Sequence, residues 1–212
     1  MSRAAAAKPA HPRTRRPYTP RMPLPMRRQQ ILDAALTIIV RDGYRAVSID
    51  AIARELDVTR PVIYNAFAGL DQLLHTLLDR QAQRAMAQLG ERLTGSVPLP
   101  PRTSADLHDL VADLATMVTE DPVTWGPILL ASLDTPQAVR DRIERERENA
   151  RLQFRAILDV ALAARGATGT DADMLAHALL ALAMHFGRLL VEGAPGITPE
   201  RIAATLTALV PA

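Results

Sequence analysis

The chain lacks cysteine and contains few aromatic residues, and these shortages exclude several classes of protein. With no Cys among 212 residues, a disulfide framework and a thiolate metal site are both excluded. Only 3% of the residues are aromatic, while Ala and Leu dominate, which favours helices packed through aliphatic side chains. The uninterrupted apolar runs fall short of the roughly 18 to 20 residues that a membrane span needs. No apolar core follows the basic N-terminus, as a secretory signal would require. We therefore expect a cytoplasmic protein with no membrane contact.

Motifs of catalysis and metal binding are also missing. The sequence contains neither a glycine-rich phosphate loop nor a Gly-x-Ser-x-Gly elbow. None of its five histidines predicts a metal site, and His177 and His185 lie two helical turns apart. We expect no enzymatic activity, no metal and no cofactor.

Charge is distributed unevenly along the chain. Residues 1–28 carry eight basic and no acidic residues, so their net charge is +8 against −6 for the remainder. Six prolines among residues 1–25 predict an extended, disordered arm over that range, with helix beginning only at Arg27. Such an arm is either a solvated tail or a segment that contacts a polyanion.

Helical periodicity begins abruptly after the arm and continues to the end of the chain. Gly43 predicts a helix stop, and Ser48 predicts the N-cap of a short second helix over 48–56. A third helix is expected to end near Phe67. Further helices are predicted at 70–93, 104–120, 122–133, 136–165, 171–192 and 198–210, separated by turns rich in Pro, Gly and Asp. The fold class is therefore all-α, with about nine helices.

The stretch VTRPVIYNAF, residues 58–67, predicts a helix start that faces outward. Pro61 falls in the first turn, where the missing N–H leaves no hydrogen bond unmade, and Thr59 is a suitable cap. Ile63 can pack inward, which leaves Arg60 and Tyr64 outside. Together with the preceding short helix this is the helix-turn-helix pattern, in which the second helix enters the major groove of DNA. Arg, Tyr and Asn suit contacts with guanine, phosphate and adenine.

Residues 27–75 resemble the DNA-binding domain of the TetR family of transcriptional regulators. The resemblance is carried by the arginine-led first helix, the Gly43-Tyr44 turn, Ser48-Ile49, Val58-Thr59 and Ile63-Tyr64. It implies a three-helix headpiece over 26–70 and a helical effector-binding and dimerisation domain over 71–212. It also implies a homodimer that binds a pseudo-palindromic double-stranded DNA operator and a small-molecule effector.

The resemblance also assigns DNA-binding positions in this sequence. They are the two basic residues that open the first helix, the start of the second, and the exposed positions of the third: Arg27, Arg28, Ser48, Thr59, Arg60, Pro61, Tyr64 and Asn65. Asp57 stands where the family usually has glycine, and we expect it to tolerate the left-handed backbone of the turn. Leu70 replaces a lysine that usually contacts phosphate, and we expect the basic arm to compensate.

Two further sets of residues are candidates in the larger domain. Apolar residues around the single tryptophan predict an effector pocket, with core filling as the equal alternative: Met86, Met117, Trp125, Ile128, Phe154, Met184 and His185. Ala- and Leu-rich helices near the C-terminus predict a dimer interface, with a buried monomer core as the alternative: Leu175, Leu179, Leu182, Phe186, Ile202 and Leu206.

The leading hypothesis is a ligand-responsive repressor that a mostly apolar effector releases from its operator. Two alternatives remain at this point. One is a small helical enzyme or ligand carrier with a vestigial headpiece, and the other is a ligand-independent activator or architectural DNA-binding protein.

Overall fold

A computed structural model describes residues 22–93, 103–131, 135–164, 166–167 and 169–208. It confirms the all-α fold, and no strand occurs within those ranges. The elements are α1 (Leu24–Asp42), a 3₁₀ turn (Tyr44–Ala46), α2 (Ile49–Glu55), α3 (Arg60–Tyr64), α4 (Leu70–Leu93), α5 (Ser104–Glu120), α6 (Pro122–Leu129), α7 (Gln137–Ala164), α8 (Ala172–Val191) and α9 (Pro199–Ala208).

The start of α1 corrects the expectation that prolines keep residues 24 and 25 out of a helix. Pro23 is the N-cap, and Pro25 lies in the first turn, so α1 begins at Leu24 rather than Arg27. The first amide groups of a helix have no intrahelical partner, and proline therefore removes no hydrogen bond there. The rest of the predicted arm, residues 1–21, lies outside the described residues.

The second correction concerns two helix ends. α6 stops at Leu129, although the sequence predicts helix to residue 133, and α3 stops at Tyr64 rather than near Phe67. The other predicted helices agree with the structure to within about one or two residues, apart from the last, which is described only to Ala208.

The largest hydrophobic core joins the headpiece to the next helices. α1 to α4 contribute most of it, and the N-terminal part of α7 adds Val139 and Ile143. The side chains that are at most 2% exposed include Ile31, Ile38, Ile39, Ile52, Ile63, Leu73, Leu74 and Leu77. Because α4 belongs to this core over its first half and continues beyond it, it physically connects the headpiece to the larger domain.

The larger domain is built from helix pairs around two smaller apolar clusters. α5 packs along α9 and α7 along α8. One cluster contains Trp125 and Leu129, and the other joins Leu190 of α8 to Ile202 of α9. At Gly187 of α8, an added Cβ would lie 3.1 Å from the Leu129 side chain, so glycine permits the close approach of α6 and α8.

A proline inside α6 determines how this helix is held. Pro127 has no N–H, so the carbonyl of Val123, four residues earlier, loses its intrahelical donor. The side-chain amide of the fully buried Gln81 donates to that carbonyl from α4 at 2.8 Å. A side chain of α4 thus supplies the hydrogen bond that the α6 backbone cannot make.

The carbonyl of Pro127 itself binds the headpiece. The buried Tyr44 hydroxyl donates to the Pro127 oxygen at 2.7 Å, across 83 residues of sequence. Burial raises the pKa of the Tyr44 phenol well above its ordinary value, so the hydroxyl remains a donor throughout the physiological range. α6 is therefore hydrogen-bonded to α4 through the Val123 carbonyl and to the 3₁₀ turn through the Pro127 carbonyl.

We expect Gln81→Leu to lower the free energy of unfolding by about 1–3 kcal/mol, because it leaves the Val123 carbonyl without a donor. In a Pro127→Ala background the same substitution should be less costly, since residue 127 then has an N–H for that carbonyl. Urea denaturation of the four proteins measures the coupling. Gln83→Leu, at an exposed position of α4, is the matched control. If Gln81→Leu lowers the free energy of unfolding equally with Pro127 and with Pro127→Ala, Gln81 does not replace the hydrogen bond that Pro127 removes.

Candidate nucleic-acid interface

The turn between α2 and α3 depends on the left-handed backbone of Asp57. Its φ is 51°, and no other non-glycine residue in the described ranges has positive φ. The Val58 N–H donates to the Ala53 carbonyl at 2.9 Å, and the Asp57 N–H donates to the Arg54 carbonyl at 3.2 Å. These two hydrogen bonds form the C-terminal cap in which glycine is the usual residue. They confirm the expectation that Asp57 adopts the left-handed backbone of the turn.

α3 is anchored by one face and leaves the other face exposed. Ile63 is fully buried, and Ala66 and Phe67 just beyond the helix are also buried. The residues expected to contact DNA are all exposed: Thr59, Arg60, Pro61, Tyr64 and Asn65. Tyr64 is 53% exposed, which is high for so large an apolar ring. The structure thus brings these five together on one surface.

Ser48 combines a structural role with a free donor. Its hydroxyl oxygen accepts the Ala51 N–H at 3.1 Å, which caps α2 as predicted. A hydroxyl that accepts at its oxygen still has a proton to donate, so a phosphate contact remains available. Thr59, by contrast, precedes α3 without a capping side-chain hydrogen bond.

Arg28 is engaged inside the headpiece in a way that the sequence analysis missed. Its Nε donates to the Ala66 carbonyl at 2.9 Å, and its guanidinium lies 5.4 Å from the centroid of the Phe67 ring. A cation over an aromatic face is attractive, so Arg28 fixes the start of α1 beside the end of α3. Within the described residues, the Arg27 side chain binds only that of Gln30, at 2.8 Å from Nη1 to Oε1.

A second unforeseen contact pairs Arg60 with Asp50. Arg60 Nη2 donates to Asp50 Oδ2 at 2.6 Å, and Nε donates to the other carboxylate oxygen. The pair is bidentate and exposed, and it joins the starts of α2 and α3. Because the two residues are ten positions apart on different helices, no local pattern predicts their contact. Asp50 therefore offsets the charge that Arg60 would present to DNA.

Comparison with known proteins gives the same result for this region. Residues 31–77 match the family described as "Bacterial regulatory proteins, tetR family". The nicotine-responsive transcriptional repressor HdnoR of Paenarthrobacter nicotinovorans is 33% identical over 100 residues, which cover 45% of this chain and 47% of HdnoR. The headpiece is thus that of a TetR-family regulator.

Solved structures of the family share the fold beyond the headpiece. A TetR-family regulator from Agrobacterium tumefaciens has a TM-score of 0.69 at 18% identity and covers 90% of this chain and 100% of its own. FadR from Bacillus subtilis, in complex with stearoyl-CoA, has a TM-score of 0.62 at 16% identity and covers 85% and 96%. These likenesses show that the fold of those regulators extends over 85% to 90% of this chain. The sequence match to HdnoR spans about half of that relative's length.

The predicted pocket residues lie in different places. Met117 and Trp125 are buried in one cluster, with Ile128 and Met184 packed against it. The Trp125 indole N–H donates to Gln88 Oε1 at 2.9 Å. Met184 and His185 line a cavity of about 410 Å³. Phe154 is half-buried on α7, and Met86 is 59% exposed on α4, so neither lines that cavity.

The predicted dimer residues also divide between two environments. Ile202 is buried in the protomer, and Phe186 and Leu206 pack against its cluster. Leu175 and Leu182 are half-buried on α8, while Leu179 is 37% exposed. Of the six predicted dimer residues, only Leu179 on α8 is therefore exposed.

We expect Asp50→Asn to strengthen binding to arbitrary double-stranded DNA by roughly threefold to tenfold at low salt, because Arg60 is released to contact phosphate. The slope of log K against log salt should steepen by about one. Fluorescence anisotropy on a random duplex measures both quantities. Glu146→Gln on α7 removes the same charge at an exposed position away from the headpiece and should leave both unchanged. Equal effects of the two variants would rule out a local role for Asp50.

Proposed function

We propose that this TetR-family protein is a homodimeric transcriptional repressor that binds a pseudo-palindromic DNA operator and leaves it when a small, mostly apolar effector binds. The exposed face of α3 carries the proposal. Thr59, Arg60, Tyr64 and Asn65 stand on a helix anchored by Ile63, in the arrangement by which helix-turn-helix proteins read the major groove.

The effector part of the proposal is supported by the position of α6. Leu129 lines the cavity of about 410 Å³, which is within the usual size range of small-molecule sites. Two residues earlier, Pro127 binds the headpiece through Tyr44. A ligand that displaces α6 therefore acts on a direct contact of the headpiece, and the two states differ in operator affinity. HdnoR is described as a nicotine-responsive repressor, and FadR was solved with stearoyl-CoA, which supports ligand response and repression here.

The homodimer is supported by the apolar surface of α7 and α8. α8 is 20 residues long and contains an 18-residue window with a mean hydropathy of 1.6, which by length and composition would suit a membrane span, and only 17% of that window is buried in the protomer. Half of the large exposed hydrophobic side chains in the described residues lie on these two helices: Leu152, Ile157, Val160, Met174 and Leu179. Surface of this kind marks an interface. We propose that α8 of a second copy covers it, as symmetric oligomers pair identical patches.

DNA recognition is tested with a mobility-shift titration on the DNA upstream of the protein's own gene. We expect Thr59→Ala combined with Tyr64→Ala to weaken specific binding by about tenfold or more while the melting temperature is unchanged, since both side chains are exposed. Met86→Ala removes an equally exposed side chain outside the headpiece and is the control. If the double variant retains wild-type affinity and specificity, α3 is not the recognition helix.

Dimerisation is tested with Leu179→Arg, which places a charge in the proposed interface. We expect the dimer dissociation constant to rise by about 100-fold, as buried unpaired charge costs several kcal/mol. Sedimentation velocity across a concentration series measures it, and circular dichroism checks the fold. Met86→Arg, on α4, should leave the dimer intact. A variant that stays dimeric at the lowest concentration would place the interface elsewhere.

A further inference from the structure

The cavity between α6, α7 and α8 has an unusual combination of lining groups. Its volume is about 410 Å³, and its apolar wall includes Leu129, Leu180 and Met184. Four ionisable side chains also line it, and all four are of basic type: Arg147, His177, His185 and Arg188. No carboxylate lines the cavity in the part of the chain that is described. A purely apolar ligand would offer no acceptor to the N–H groups of this wall.

The carboxylates nearby bind the arginines from outside the cavity. Glu144, whose side chain is 69% exposed, accepts only Nη1 of Arg147 at 2.7 Å. Glu192 likewise accepts only Nη1 of Arg188, at 2.8 and 2.7 Å. Each guanidinium has five N–H donors, so both arginines keep further donors for another acceptor.

The order of residues along α8 gives the cavity a direction. The lining residues recur every three or four positions from His177 to Arg188, which places them on one helix face about 16 Å long. Met184 and Leu180 occupy the middle of that face. α7 runs antiparallel beside α8, and Arg151 of α7 pairs with Asp173 of α8. Arg147, one turn before Arg151, therefore lies one turn beyond Asp173, at the His177 end of the cavity face.

Arg147 carries the most specific signal of a ligand. Its Nε is buried and has no hydrogen-bond partner within the described residues, although the side chain as a whole is 28% exposed. Buried polar groups are nearly always paired, and a buried N–H without an acceptor is costly. An anion in the cavity would provide the acceptor that Nε lacks.

From these observations we propose that the cavity binds an organic acid with a hydrocarbon body, whose carboxylate is held by Arg147 and whose body lies along Leu180, Met184 and Leu129. The proposal rests on the effector site proposed above and specifies its ligand class. A carboxylate suits a guanidinium, since both are planar and can form two parallel hydrogen bonds. Arg188 and His185 lie toward the other end of the face and bind no part of the acid's head.

The test uses three ligands that share one hydrocarbon chain and differ only in the head group: decanoate, decanol and decyltrimethylammonium. Binding to the full-length protein is followed by the emission of Trp125, the only tryptophan, which packs in one cluster with Leu129 and Met184. We expect decanoate to bind at least about tenfold more tightly than the other two, because it alone offers a charged acceptor to the free N–H groups of Arg147.

A variant pair then tests Arg147 directly. Arg147→Gln should weaken decanoate binding by about tenfold or more and leave decanol binding unchanged. Arg145→Gln, at an exposed position on the same helix, should change neither. Arg188→Gln should have less effect on decanoate than Arg147→Gln. Melting temperatures check that the variants fold.

The outcomes separate this inference from the proposed function. Equal affinity for decanoate and decanol, equal losses of both in Arg147→Gln, or no binding of decanoate would overturn the ligand class. A separate mobility-shift assay measures whether decanoate releases the protein from DNA. Binding at Arg147 without release from DNA would confirm the site and overturn the proposed mechanism of release. Release by decanol with equal potency would support the mechanism and overturn the role of Arg147.

Discussion

The structure depends on how α6 is held around Pro127. A proline in a helix interior normally breaks the helix, because it removes a hydrogen bond and crowds the preceding turn. Here the Val123 carbonyl that loses its partner is served by Gln81 of α4, and the Pro127 carbonyl accepts the Tyr44 hydroxyl. Both bonds are long-range, and both end in buried side chains. The backbone defect of one short helix is thus the point at which the headpiece, α4 and the larger domain are joined.

This arrangement bears on how an effector would act on the headpiece under the proposed function. α6 contacts the cavity through Leu129 and the headpiece through Pro127, and Leu129 also packs closely against Gly187 of α8. Packed interiors move between discrete arrangements rather than deforming continuously. Under the proposed mechanism, a shift of α6 would therefore have to exchange or break specific hydrogen bonds, which would give the two states a defined energetic difference.

The sequence predicted the features that have a local cause. Gly43 ends α1, Ser48 caps α2 and Asp57 turns the chain, because each depends on the conformational preference of one residue and its immediate neighbours. The same local reasoning placed the residues of α3 on the outside of the headpiece. The early start of α1 was missed because proline was treated as a helix breaker at positions where it is tolerated.

The features that were missed are contacts between residues distant in sequence. Arg28 reaches across 38 residues to Ala66, and Gln81 across 42 residues to Val123, so neither follows from helical periodicity. Of the predicted pocket residues, Met184 and His185 do line the cavity, but its arginines were missed, since they come from two helices that only the fold brings together. The apolar residues around Trp125 predicted the apolar cluster, but they carried no information about the arginines that line the cavity beside it.

The pairing of Arg60 with Asp50 has a consequence for how the protein searches for its site. An arginine that already has a bidentate partner gains little from a single phosphate, but it can exchange that partner for a base edge with two acceptors. We therefore expect the internal carboxylate to lower the time spent on unrelated sequence more than the time spent on the operator. Under the proposed function, part of the selectivity of this headpiece would come from a competing acceptor within the protein itself.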